Sequence, residues 1–278
     1  YLFSKKKHNA INIISAISVC GVALATLALV CTLSVFNGFH EMVEGLFTAF
    51  DPQIKVVPVE GKTAPADDPI LTKIKSMPEV YVATECVEDQ ALAVYNGRQA
   101  MIHLKGVEDN FDSLTHIRSI LQGDGTYELH VADLHYGIPG RHLIDALGMG
   151  YYYPMPLKIY APRREGQLDM SDPTEGFIED ELYSPGVVFE VQQSKYDRNY
   201  ILTSISFARR LFDQQGMISS LELRLKQGSN FEAVKERMQQ VAGDKYRVMD
   251  RYEQQDDTFR IMKIEKLIAY IFLTFILM

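Results

Sequence analysis

The sequence has no tryptophan and only three cysteines in 278 residues. It also has no Lys, Arg, Asp or Glu between Lys7 and Glu41, and none after Lys266. The scarcity of cysteine gives little support for a disulfide framework. Cys20 and Cys31 fall in one apolar run, where eleven helical residues would hold them about 16 Å apart, far beyond bridging distance. Cys86 stands alone and reads as a small buried hydrophobe, not a nucleophile. No glycine-rich loop carries Lys and Ser/Thr at the spacing that cradles phosphates, so ATP hydrolysis is not expected here. No GxSxG elbow is present, and no cysteine sits in a nucleophile motif.

Other candidate chemistry dissolves under the same inspection. Gly148-Met149-Gly150 follows a helical pattern and precedes Tyr151 to Tyr153, so it reads as a helix cap and not a dinucleotide loop. His130, His135 and His142 lack the i, i+4 spacing that puts two imidazoles on one helical face and are read as surface or packing residues. The adjacent pairs Asp67-Asp68 and Asp256-Asp257 are read as solvated. The 36 acids and 28 bases give a net charge of -8, concentrated in the middle of the chain. With no basic stripe, nucleic acid is excluded as a partner. Nothing makes a positive case for an enzyme, and no cofactor or metal is expected on this chain.

What the sequence does have is length without charge. Residues 11–36, INIISAISVCGVALATLALVCTLSVF, form a run long enough to cross a hydrocarbon core of about 30 Å as a helix. It is too long for the apolar core of a cleaved signal. Leu29 and Val30 stand before Cys31, where a lipoprotein signal would need a small residue. Lys5, Lys6 and Lys7 precede the run and Glu41 and Glu44 follow it, which places the N-terminal segment 1–10 in the cytoplasm and the middle outside it. Ser18, Gly21 and Ala25 recur at helical spacing and form a candidate helix-contact face.

A second apolar stretch, 267–278 (LIAYIFLTFILM), reads as the start of another membrane helix. Ile261, Ile264, Ile268 and Ile271 keep helical spacing across its boundary, as in a stalk, here 252–266, entering a bilayer. Tyr270 suits the interface. The chain opens on Tyr1 and stops inside this stretch, so both ends are read as cut.

Residues 37–251 alternate strand and helix signals punctuated by Pro, Gly and Asp, an α+β pattern. An amphipathic helix is expected over about 39–50, then strand 53–59. Residues 91–95 and 98–104 flank Asn96-Gly97, a two-residue hairpin turn. A helix after Gly137 should end at a glycine cap before strand 156–162. Residues 161–185 read as a long loop or extended hairpin. Strands 186–193, 199–204, 220–225 and 246–250 and helices 206–215 and 231–243 complete the domain. A subdomain boundary is placed, on weak signals, near 128–136.

The stretch SAISVCGVALATLALVCTLSVFNGFHEMVEGLF resembles the first membrane helix of lipoprotein-releasing ABC transporter permeases of the LolC/LolE type, within the FtsX/MacB-like superfamily. The matching exit motif is Leu33, Ser34, Val35, Asn37, Gly38 and Phe39, and IMKIEKLIAYIF is similar to the family's entry into its second helix. The resemblance implies a MacB-like periplasmic domain between two transmembrane helices, four membrane helices in all, and an inner-membrane, multi-pass location. It implies a cytoplasmic ATP-binding subunit carrying ATP and Mg, a second permease copy or paralogue, membrane lipids around the helices, and lipoprotein cargo passed to a periplasmic carrier. It also implies candidate cargo contacts at Leu33, Phe36, Phe39 and Phe47. A carrier-docking loop is implied at Asp169, Met170, Pro173 and Phe177, in a stretch more acidic than the family's pattern. Two other readings compete: an efflux or mechanotransmission permease of the MacB type, and a two-helix membrane sensor with a ligand-binding domain.

Overall fold

The computed structural model describes residues 9–44, 50–163 and 176–255. Residues 48–254 form one compact unit, and helix α1 (Asn9–Glu44) belongs to another. The stretch 267–278, the stalk beyond Gln255 and Lys5 to Lys7 lie outside the described residues.

Within α1, Ile13–Val35 is long and apolar enough to cross a membrane. At 1.5 Å per residue its 23 residues span about 34 Å. The helix does not stop at Phe36 to restart as a separate amphipathic element; it runs unbroken to Glu44. Asn37 and Gly38 are weak helix formers, but neither removes a backbone donor, so the ladder continues through them.

The α+β class expected from the sequence is the one observed. A nine-stranded sheet is built from β1 (Ile54–Pro58), β2 (Val80–Tyr95), β3 (Arg98–Val107), β4 (Ile138–Pro139), β5 (Leu157–Pro162), β6 (Phe177–Leu182), β7 (Tyr200–Ser204), β8 (Ser220–Leu225) and β9 (Tyr246–Asp250). The order is β9-β1-β8-β2-β3-β7-β4, with β5 joining β2 and β6 joining β5. Strand β2 is the spine. Its first half pairs with β8, Val80 to Cys86 against Leu225 to Ser220, and its far end pairs with β5 at Leu92 to Val94. Along the other edge it zips to β3 from Cys86↔Val107 to Tyr95↔Arg98.

The hairpin turn expected at Asn96-Gly97 is present, with φ of 45° and 79° at the two residues. Those positive angles match the right-handed twist of the strands they join. The pairing of β7 with β3 is parallel, which requires the long intervening excursion through 108–199.

Helices α2 (Pro69–Lys75), α3 (Phe111–Leu114), α4 (Arg141–Leu147), α5 (Ser194–Asn199), α6 (Ile205–Leu211) and α7 (Phe231–Ala242) cover the sheet. Local chemistry starts them. Ser204 and Asn230 accept hydrogen bonds from the N–H groups of Phe207 and Ala233, satisfying donors that a helix leaves free at its first turn. The expected glycine cap is Gly148, at φ 70° after α4. Gly140 is needed for a different reason: a Cβ there would lie 2.5 Å from the carbonyl oxygen of Asp197.

Several sequence expectations are corrected. Asp68 is buried, not solvated, because it caps α2 by accepting from Ile70 N–H and pairs with Lys245. The expected strand 186–193 shrinks to Val188–Phe189, and helix α5 fills the space before β7. Residues 114–121, whose sequence also suggests a helix, hold the end of α3 and one 3-10 turn, Ile117–Ile120. Of the stretch 161–185, read as loop or extended hairpin, the described ends belong to an antiparallel pair, β5 with β6 in register from Leu157↔Leu182 to Pro162↔Phe177, and 164–175 lie outside the described residues.

Candidate functional site

Four of the helix residues singled out from sequence have described side chains on α1. Ser18, Gly21 and Leu33 are exposed and Ala25 is half-buried, and a Cβ on Gly21 would meet nothing within 4 Å. The side chains of Phe36 and Phe39 lie outside the described residues, as does Phe47. Asp169, Met170 and Pro173 are outside them too; Phe177 begins β6 and is exposed.

The point where the chain enters the domain is built quite differently. Phe50 is 2% exposed, and its ring lies 5.1 Å from Phe189, 5.1 Å from Tyr196, 5.6 Å from Tyr200 and 6.3 Å from Phe111, centroid to centroid. Aromatic pairs at these separations add to the gain from burial. Next to it, buried Asp51 accepts a hydrogen bond from Tyr196 Oη at 2.6 Å. The exit is tied to the same place. Gln254 donates to the Pro52 carbonyl at 3.2 Å, and β1 pairs with β9 from Ile54↔Asp250 onward. Entry and exit strands are thus immediate neighbours in the sheet.

A buried ionic chain backs this aromatic plug. Lys105 Nζ, on β3, donates to both carboxylate oxygens of Glu222, on β8, at 2.8 and 3.0 Å. The side chains are 3% and 0% exposed. The same ammonium sits 5.0 Å from the Phe50 ring centroid and 5.1 Å from that of Phe111. Lys55 approaches Glu222 at 3.8 Å and Glu88 at 3.7 Å, and Glu88 accepts from Tyr200 Oη at 2.8 Å. Burial works against the charge on Lys105, but Glu222 outweighs it and holds the ammonium above its ordinary range. Burial would likewise raise Glu88; Lys55, Lys105 and the Tyr200 hydroxyl overcome it and bring the carboxyl down to about 2. This cluster was invisible in the sequence, where Lys105 and Glu222 are 117 positions apart. One signal was available: each interrupts a strand whose other positions are largely apolar.

A second polar cluster sits at the base of the β5–β6 hairpin. Arg210 Nε, on α6, donates to Asp180 at 2.7 Å, and its Nη1 lies 3.3 Å from His135 Nε2. Arginine can only donate, so Nε2 accepts, and Nδ1 carries the proton toward Ser204 Oγ at 2.7 Å. Burial, then the Arg210 charge, push the His135 pKa below its ordinary 6.5. Asp180 and Asp133 pull the other way, and His130 adds to the lowering. A histidine with a lowered folded pKa contributes stability that is complete above 6.5 and is lost as the pH falls through the lowered value. Thermal unfolding between pH 7.5 and 5 should therefore show His135→Gln with a flatter pH profile than the native chain. Identical profiles would show that His135 does not titrate against this cluster.

Burial pushes the Cys86 thiol up, away from the reactive thiolate. Among the described residues no group of three or more His, Cys, Asp or Glu is placed to hold a metal ion.

Comparison with known proteins bears on what such a molecule is for. No protein-family model matches the chain. The lipoprotein-releasing system transmembrane protein LolC of Neisseria meningitidis serogroup B is 24% identical across 100% of this chain. This chain spans 65% of the length of that LolC protein. Among solved structures, the extracellular domain of the noncanonic ABC-type transporter YknZ from Gram-positive bacteria matches at a TM-score of 0.47 and 10% identity, over 71% of this chain and 99% of that one. The periplasmic region of MacB from Actinobacillus actinomycetemcomitans matches at 0.47 and 9%, over 76% and 92%. The likeness to LolC runs through α1 and the domain alike, so the aromatic plug and paired strands lie inside the matched region.

Proposed function

We propose that this chain serves as a permease subunit of an ABC transporter of the LolC/MacB/FtsX type, and that its cargo is lipoprotein drawn from the inner membrane. The observation that supports the reading is the likeness to LolC over the whole chain, apolar helix and domain together. The geometry suits a mechanical part. Entry and exit strands are hydrogen-bonded neighbours, and the entry is plugged into the core by Phe50, so a pull on either connector is carried into the sheet and not absorbed by a loose loop.

In this reading the N-terminus is cytoplasmic, the domain periplasmic and the membrane crossing multi-pass. ATP and Mg are held by a separate ATP-binding subunit. A second permease copy or paralogue packs on the face of Ser18, Gly21 and Ala25. Leu33, Phe36, Phe39 and Phe47 meet the lipidated cargo, and the 161–185 hairpin offers itself to a periplasmic carrier. The test is reconstitution of the full-length permease with its ATPase in liposomes loaded with a lipoprotein. ATP should move the lipoprotein to a soluble acceptor, with no transfer when ATP is omitted. ATP turnover without transfer would reject lipoprotein as cargo while leaving the permease reading to be tested with other substrates.

A further inference from the structure

The domain is acidic overall, yet one cleft of about 650 Å³ near its entry and exit is lined by cations. Arg224, on β8, and Lys226, just after it, both face this cleft. Neither pairs with a carboxylate among the described residues. Arg224 Nη1 donates to the Ser113 carbonyl at 3.1 Å and its guanidinium lies over the Tyr81 ring, while Lys226 donates to the Pro78 carbonyl. Glu79, whose charge Lys226 feels, is bonded through Oε1 to Arg237, while its Oε2 is buried without a hydrogen-bond partner among the described residues.

A third cation, Arg251, is not part of the cleft's lining but lies within electrostatic reach of Arg224 and of Asp51. The Nε of Arg251, directly after β9, is buried without a hydrogen-bond partner among the described residues. Burial, with Arg224 adding to it, lowers the Arg251 pKa against the pull of Asp51. Clustered like charges of this kind, left on backbone carbonyls or unsatisfied, are stabilised most by an anion. The remaining wall includes Phe231, which opens α7, and Ser229, which stands before the helix cap Asn230. Asn230 takes the N–H of Ala233, leaving the first two N–H groups of the helix, at its positive end, without an intrahelical acceptor.

We propose that the cleft between Tyr81, Arg224, Lys226 and the start of α7 is a binding site for a phosphate group. Phosphate fits better than a single carboxylate because its several acceptor oxygens can engage the planar fork of Arg224, the ammonium of Lys226 and backbone N–H groups at once. Its natural source is either the phosphodiester headgroup of an anionic phospholipid or free phosphate. The site does not depend on the permease reading; only the lipid source does.

The experiment is native mass spectrometry of the full-length protein released from detergent, titrated in separate arms with short-chain phosphatidylglycerol and with inorganic phosphate. The native chain should bind one equivalent saturably. The double variant Arg224→Gln, Lys226→Gln should weaken it about 10-fold or more, as expected for two lost charge-assisted bonds. The charge-preserving Arg224→Lys, Lys226→Arg should retain most binding, which separates lost charge from lost fold. Loss confined to the lipid arm assigns a headgroup site, and equal loss in both arms assigns a phosphate site without lipid preference. Binding unchanged by the Gln pair, or absent from both arms in the native protein, would overturn the proposal.

Discussion

Replacing Glu222 by Gln is expected to destabilise the domain by about 3–5 kcal/mol, the usual cost of removing one partner from a buried ion pair. Glu222 is fully buried and takes both bonds from Lys105. The amide keeps the shape but leaves the Lys105 ammonium in the core without a direct carboxylate partner, with Lys55 nearby and only Glu88 left to offset the two. The double change Lys105→Met, Glu222→Leu removes both charges and should recover most of the loss, because buried pairs gain little over apolar residues of similar volume. Urea unfolding of the purified chain in detergent, followed by circular dichroism, gives both numbers. A Glu222→Gln variant within about 1 kcal/mol of the native chain would be incompatible with the pair being charged and dry. Equal loss in single and double variants would point to packing instead.

Phe50→Ala should cost a similar amount, about 3–5 kcal/mol, as for other buried aromatics cut to alanine. Its effect should also reach function, because Phe50 is the first described residue after α1 and is locked among Phe111, Phe189, Tyr196 and Tyr200. In the reconstituted transporter, the variant should release lipoprotein several-fold more slowly while ATP turnover stays within about twofold of native, since the ATP site is on another subunit in the proposed assembly and the loss is one of coupling. Phe50→Leu fills part of the cavity and should fall between the two. Native-like release by a Phe50→Ala variant shown to be destabilised would remove Phe50 from the transmission path.

These two residues differ in how far the sequence foretold them. Phe50 falls at the end of a stretch read as an amphipathic helix, which marks it as apolar and near a boundary but does not reveal the ring cluster. Its partners come from residues more than 60 positions away. Lys105 lay unremarked at the end of a hairpin strand. Only when β2 is laid between β3 and β8 do Lys105 and Glu222 meet across it. The same holds for the proposed phosphate cleft, where Arg224 of β8 and Lys226 after it meet the start of α7 and Tyr81 of β2.

The sequence by itself determined what depends on neighbours in the chain. The uncharged run became an unbroken helix, Asn96-Gly97 closed a hairpin at positive φ, Gly148 capped α4, and the apolar spacing of α7 placed Val234, Met238 and Ala242 in the core. Each is a matter of backbone preference or periodicity within a few residues. Tertiary structure alone decided the 16-residue reach of β2, the parallel pairing of β7 on β3, the burial of Asp68 and the adjacency of the entry and exit strands. Those depend on strand order and register, and register is set by which apolar faces can be buried together across the whole sheet.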